Sequence, residues 1–243
     1  MHVRGFSLVE LLVTLAIAMV VLGGLVLSFR SQYGTYKLEH RRTDAVQDME
    51  IALEMIRQDI ENGLVVGGVP QITIQPAPPA GPTTDLWIEV WEPDVAFWNN
   101  DANLQQNNNY RGLRHYQFAP GVLKLDRNTR DGADSPQPLI GDTGPKSYLK
   151  VVDFQVWPAG PNDPAPTCPN GRPYLGAPAK MIPPTLNDES GGQVTSKPYV
   201  VMLEVEVPVG SRFGQKRDHC GNPTQLPRVI RYLQAAPLNA VSR

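Results

Sequence analysis

From Phe6 to Phe29 the chain runs for 24 residues with a single ionisable side chain, Glu10. As a helix this run would rise about 36 Å, enough to cross a hydrocarbon layer of about 30 Å. It therefore has to lie in lipid or against other apolar helices. The rest of the composition is ordinary for a folded protein. Of 243 residues, 41% are hydrophobic, so the chain as a whole is neither disordered nor polytopic. A net charge of -2 supplies no bulk reason to bind nucleic acid or an anionic membrane. The 24 prolines are about twice ordinary usage and argue for many loops rather than a helical bundle.

Three readings of the run compete. A secretory signal peptide usually has an apolar core of only about 7–15 residues. This run is longer, carries a carboxylate in its first turns, and places its one cleavage-like string, Ala16-Ile17-Ala18, inside itself. A plain membrane anchor for a soluble domain is the second reading. The third rests on the local string Gly5-Phe6-Ser7-Leu8-Val9-Glu10-Leu11-Leu12-Val13, preceded by a short leader that contains Arg4. That string resembles the processing site of type IV prepilins and type II secretion pseudopilins, with Ser7 where Thr is commoner. The resemblance implies that a prepilin peptidase cuts between Gly5 and Phe6 and that the new Phe6 amine is N-methylated.

Electrostatics supports the same reading independently. A carboxylate at helix-centre depth costs about 2.5–3.5 kcal/mol on insertion scales. Glu10 lies nearer one end, so its cost is lower, but it still calls for a partner, and no basic residue lies within the run. Cleavage after Gly5 would create a cationic amine at Phe6. A neighbouring subunit's amine, displaced along a filament axis, could neutralise Glu10 and set axial register, a role attested for buried polar groups. The alternative is that Glu10 snorkels to the interface. The flanking charges count the other way. Arg4 precedes the run, while Arg30, Lys37, Arg41 and Arg42 follow it, which by the positive-inside rule alone orients the chain opposite to a pilin. The motif and the cysteines agree with each other and outweigh this count.

The helical pattern continues past the run. Leu38, Ala45, Val46, Met49, Ala52, Leu53, Ile56 and Ile60 recur at steps of three, four or seven, with charged residues between them. Asn62-Gly63 is a plausible stop, and no proline occurs before Pro70. One helix from Phe6 to about Asn62 is expected, with Gly23-Gly24 and Gly34 as weak points. The expected divisions are a leader at 1–5, a transmembrane or filament-core helix at 6–29, an amphipathic continuation at 30–63 and an extracytoplasmic β-rich head at 64–243. Phe29-Arg30-Ser31-Gln32-Tyr33 and the helix end Ala52–Ile60 look like those of PilW-like minor pilins, although the Gly-Cys common after that helix is missing here. The J-type minor pseudopilin of type II secretion is a close second.

In the head the period switches to two. Leu86, Ile88 and Val90 alternate with Trp87, Glu89 and Trp91. Val152, Phe154 and Val156 alternate with Asp153 and Gln155, and Tyr199 to Val207 alternate in the same way. These read as strands with one buried face, hence mostly antiparallel. Gln71 to Gln75 and Arg228 to Leu233 are weaker candidates, and the Ala119-to-Val122 turn suggests a hairpin. The fold class expected is α+β, type IV pilin-like: a long N-terminal helix packed on a mostly antiparallel sheet with long Pro/Gly-rich loops. Those loops are Gln75 to Thr84, Asn99 to Asn109, and Pro158 to Pro198, the last with disorder as the competing reading.

Cys168 and Cys220 can form a disulfide, which implies an oxidising compartment, or can be two free thiols. Joined by His219 they could hold a metal, but the ligand count falls short, so no metal and no cofactor are expected. Asp126 to Gly132 only loosely echoes a calcium loop. Arg212, Lys216, Arg217, Arg228 and Arg231, with Phe213 and Tyr232, form a loose basic cluster without a stacking module, so nucleic acid is not an expected partner. No P-loop, G-x-S-x-G, H-E-x-x-H or C-x-x-C string occurs, and the expected work is binding rather than catalysis.

Taken together, the resemblance implies a minor pilin, a structural subunit that joins or primes a type IV pilus used for adhesion, motility or DNA uptake. A minor pseudopilin of type II secretion is the alternative, and a membrane-anchored periplasmic enzyme or sensor the second. Its expected partners are other major and minor pilin subunits, prepilin peptidase, the inner-membrane assembly platform, and lipid before assembly. It is expected to span the inner membrane once with its head in the periplasm, and then to enter an extracellular pilus or a periplasmic pseudopilus.

Overall fold

The computed structural model describes residues 7–66, 68–76, 83–91, 111–127, 136–141, 149–164, 166–187, 191–207 and 215–241. The leader, Phe6, Trp91's side chain, the Asn/Gln-rich stretch 99–109, residues 128–132 of the calcium-like string, and Arg212 with Phe213 lie outside what it describes.

The chain divides into two compact units, residues 1–43 and 44–243. In the first, α1 begins at Leu8; it ends at Glu61 in the second unit, after 54 residues. The expected helix from Phe6 to Asn62 is thus met within two residues at its start and one at its end. The helix passes through Gly23, Gly24 and Gly34 without a break. Its start has a local cause. Ser7 precedes the first helical residue, Leu11 N–H donates to the Ser7 carbonyl at 3.2 Å, and Ser7 N–H donates to Glu10 Oε2 at 3.0 Å. The Ser7–Glu10 spacing is that of a capping box, in which the third helical residue satisfies the backbone donor of the cap.

The second unit holds the last turns of α1 and the strands. These are β1 (Leu64–Val66), β2 (Val69–Pro70), β3 (Ile72–Gln75), β4 (Asp85–Trp91), β5 (Arg111–Ala119), β6 (Val122–Asp126) and β7 (Gln137–Gly141), followed by β8 (Lys150–Pro158), β9 (Thr185–Asn187), β10 (Gln193–Thr195), β11 (Tyr199–Glu206), β12 (Gln215–Arg217), β13 (Pro223–Ala235) and β14 (Asn239–Val241). A five-stranded sheet runs β3-β4-β5-β6-β7 and a four-stranded sheet β12-β13-β11-β8; every pairing in both is antiparallel. The architecture is α+β, as expected, and the hairpin at Ala119–Val122 is the β5–β6 turn.

Ala45, Met49, Ala52, Leu53, Ile56 and Ile60 form the buried stripe of α1. They share one core with Leu86, Ile88, Val90, Tyr116 and Leu123 of the first sheet and Phe154, Val156, Val201, Leu203 and Val205 of the second. Strand β8 would leave an open edge, and unpaired edge amides invite pairing with other chains. Here the edge is occupied. Gly121 and Val151 exchange backbone hydrogen bonds at 2.9 and 3.0 Å, Thr83 N–H donates to the Phe154 carbonyl at 2.9 Å, and Val156 N–H donates to Thr83 Oγ1 at 2.9 Å. The helix end is closed by the other end of the head: β14 pairs parallel with β1, and Leu238 N–H donates to the Glu61 carbonyl at 2.9 Å.

One expectation about the strands is corrected. Asp153, Gln155 and Glu204 were expected on a solvated face, but all three are buried. The outer face of the four-stranded sheet is covered in part by residues of the proline-rich segment 160–187 and in part by the β12–β13 turn, whose His219 faces Glu204. Trp157 meets the edges of Tyr174 and Tyr232 with ring centroids 5.9 and 6.3 Å away. Tyr232 Oη donates to the Leu175 carbonyl at 2.8 Å, and Met181 N–H donates to the Ala159 carbonyl at 3.0 Å. A second correction concerns β8 itself. Val151, not Val152, points inward with Phe154, because a bulge between Val151 and Asp153 shifts the register against β11.

Candidate assembly site

Glu10 stands on the first turn of α1 with its side chain exposed. Its Oε2 accepts from Ser7 N–H, its carbonyl accepts from Thr14 Oγ1, and among the described residues it has no cationic partner. Around it, Leu8–Lys37 is a 30-residue helical stretch in which no residue is buried; its most apolar 18-residue window has a mean hydropathy of 2.6, and the stretch is long and apolar enough to cross a membrane. Fully covering one Val, Leu, Ile, Phe or Met side chain is worth about 1.5–3 kcal/mol. Leu8, Leu12, Leu15, Leu22, Val26 and Phe29 are all about half exposed or more, so the segment presents a large apolar surface.

The helix carries a second polar device where it enters the core. Asp59 accepts a hydrogen bond from the Tyr116 hydroxyl, and its other oxygen lies 3.7 Å from Arg114 Nε. Burial and the Asp59 charge drive the Tyr116 pKa far above the ordinary phenol value. Arg114 Nη1 also donates to the Arg127 carbonyl at 2.6 Å. The sequence reading missed this clamp. Its signal was an acid, Asp59, one step from the apolar stripe, which is common on any amphipathic helix.

Of the other singled-out residues, Cys168 and Cys220 are bonded to each other and both buried. Trp87 is half-buried and stacks on His115, centroids 3.5 Å apart, while His115 Nε2 contacts Asp85 Oδ1 at 2.7 Å. The basic cluster separates: Lys216, Arg217 and Arg231 are exposed, whereas Arg228 Nη1 is directed to the buried Glu204 Oε1 at 2.7 Å.

A sequence family described as the prokaryotic N-terminal methylation motif matches residues 1–26. The chain thus carries the N-terminal signature of prokaryotic prepilins, over the segment that holds Gly5, Phe6 and Glu10. Among solved structures, the type IV-like pilin TTHA1219 from Thermus thermophilus is similar with a TM-score of 0.42 and 11% identity, over 79% of this chain and 96% of that one. No curated protein is similar enough in sequence to count as a relative.

Proposed function

We propose that this chain is a minor pilin, cut between Gly5 and Phe6 and methylated on the Phe6 amine, that enters a type IV pilus through its apolar helix. The single observation that carries this reading is Glu10: an acid on the first turn of an exposed 30-residue apolar helix, inside the methylation motif. In lipid, the chain waits as a single-pass inner-membrane protein with its head in the periplasm. On assembly, helix packing replaces lipid contact at little hydrophobic cost. Glu10 then meets the Phe6 amine of a neighbour and sets the axial register. A head of this size with long loops suits a low-copy initiating or tip subunit.

Replacing Glu10 by Ala tests the assignment. The variant is expected to accumulate in the inner membrane with its disulfide formed, and to be lost from the sheared surface-filament fraction. Incorporation equal to the parent chain would overturn the role of Glu10. A parent chain that assembles but never reaches the shear fraction would instead make it a pseudopilin of type II secretion.

A further inference from the structure

Three ligand-bearing side chains with no part in processing or assembly converge on the outer face of the four-stranded sheet. Asp153 on β8 and Glu204 on β11 are a directly paired couple, so their side chains stand on one face. His219 arrives from the turn between β12 and β13. Two features place it there: the Cys168–Cys220 bond, and the Asp218 carboxylate, whose Oδ1 accepts from Cys220 N–H at 2.9 Å and Asn222 N–H at 2.8 Å. His219 Nδ1 lies 2.6 Å from Glu204 Oε2 and 3.5 Å from Asp153 Oδ2. One donor atom from each of the three residues falls within 4.8 Å of the others.

The hydrogen bonds in place leave one buried carboxylate oxygen, Asp153 Oδ1, without a partner. Nδ1 carries at most one hydrogen, so it can serve Glu204 or Asp153 but not both. Glu204 is 0% exposed and Asp153 8%. Asp153 Oδ2 accepts from Gln155 Nε2 at 2.8 Å, while its Oδ1 is buried without a hydrogen-bond partner. Two buried carboxylates facing one imidazole nitrogen is a donor set for a cation with more than one charge. An imidazole ligand favours the zinc class over calcium or magnesium, which take oxygen ligands.

We propose that Asp153, Glu204 and His219 bind a divalent transition-metal ion of the zinc class. One oxygen of each acid and Nδ1 of the histidine are its ligands. Ligating carboxylates are usually oriented by outer hydrogen bonds, and those bonds are in place. Arg228 Nη1 holds the other oxygen of Glu204 at 2.7 Å, and Gln155, which accepts from the Tyr174 hydroxyl at 2.7 Å, holds Asp153. The nearby sulfurs of Cys168 and Cys220 are joined in the disulfide and offer no thiolate. The ion would bind three separate segments, β8, β11 and the β12–β13 turn, and so reinforce the disulfide. Three protein ligands leave one tetrahedral position for water or an outside donor.

The test uses the tag-free full chain in detergent micelles with its disulfide intact, stripped with a chelator and then titrated with Zn2+ alone. The expected result is one zinc per chain and a higher melting temperature. Asp153→Asn and His219→Gln are each expected to weaken binding at least about tenfold, since even outer-sphere changes commonly cost that much. Co2+ loaded into the parent chain should show the intense visible absorption of a tetrahedral site, a measurement that needs no variant to fold. No stoichiometric zinc in the parent chain would overturn the proposal, as would variants that fold and bind it equally well.

Discussion

The Tyr116 hydroxyl on β5 is hydrogen-bonded to the Asp59 carboxylate on α1, inside the core that joins the helix to both sheets. Tyr116 is fully buried and the Asp59 side chain only 19% exposed, so removing the hydroxyl takes a donor from a carboxylate with restricted access to water. Hydrogen bonds to charged groups contribute about 1.5–3 kcal/mol. Tyr116→Phe is therefore expected to lower unfolding stability by about 2 kcal/mol with the fold unchanged. Denaturant unfolding of the variant and the parent in the same detergent measures it; a difference near zero would show that Arg114 alone satisfies Asp59.

Alkali should destabilise the head from a definite point. Burial first, and the Asp163 charge second, push Tyr199 up to about 12, and burial raises Tyr116 and Tyr232 as well. A raised folded pKa leaves the stability contribution intact below the unfolded value, near about 10. Above it the unfolded chain has released protons that the folded chain retains, so stability falls as pH rises. The unfolding midpoint is expected to fall between pH 10 and about 12. At about pH 11 the native protein should show a smaller ultraviolet phenolate band than the denatured protein. Equal bands would contradict the buried placement of these tyrosines.

The disulfide closes the segment that covers part of the four-stranded sheet, between residues 52 apart in sequence. On the chain-entropy account a loop of that length is worth about 4 kcal/mol. Cys168→Ser with Cys220→Ser should lower stability by up to about that amount. It should also make the stretch 160–187 the first site of proteolysis. A cleavage pattern identical to that of the parent would mean that Trp157, Tyr174 and Tyr232 hold the segment without it.

Gly141 ends β7 at φ +84°, and a Cβ there would stand 2.3 Å from the Gly121 carbonyl oxygen. Neither strain nor contact can be relieved without moving the Gly121–Val151 bridge that links the two sheets. Gly141→Ala is expected to cost more than about 1 kcal/mol, because at positive φ the loss exceeds the gain of up to that size that the same substitution gives where the backbone is compatible. Gly23→Ala, with open space around it, should raise helix propensity and leave the head's melting unchanged.

What could be read in the sequence and what could not divide on physical lines. The inward sets Leu86/Ile88/Val90 and Val201/Leu203/Val205 alternate in the sequence as they do in the sheets, because a half-buried strand writes its own period. The helical stripe from Ala45 to Ile60 is legible for the same reason. Glu204 and Asp153 were misjudged because alternation marks two faces but cannot say that both are covered. His219 of the β12–β13 turn faces both of them and Arg228 of β13 holds Glu204, contacts distant in sequence. The β1–β14 pair joins opposite ends of the head and leaves no local pattern. Glu10 could be read at once, since an acid in an otherwise uncharged apolar run has few explanations.

The account depends most on what happens at Gly5 and Phe6. Intact-mass and N-terminal sequencing of the chain, made alongside a prepilin peptidase, tests this directly. The account predicts a mature chain that begins at Phe6 and carries one methyl group on its amine. A chain recovered with Met1 in place, or trimmed after Ala18 as a secreted protein would be, would contradict it.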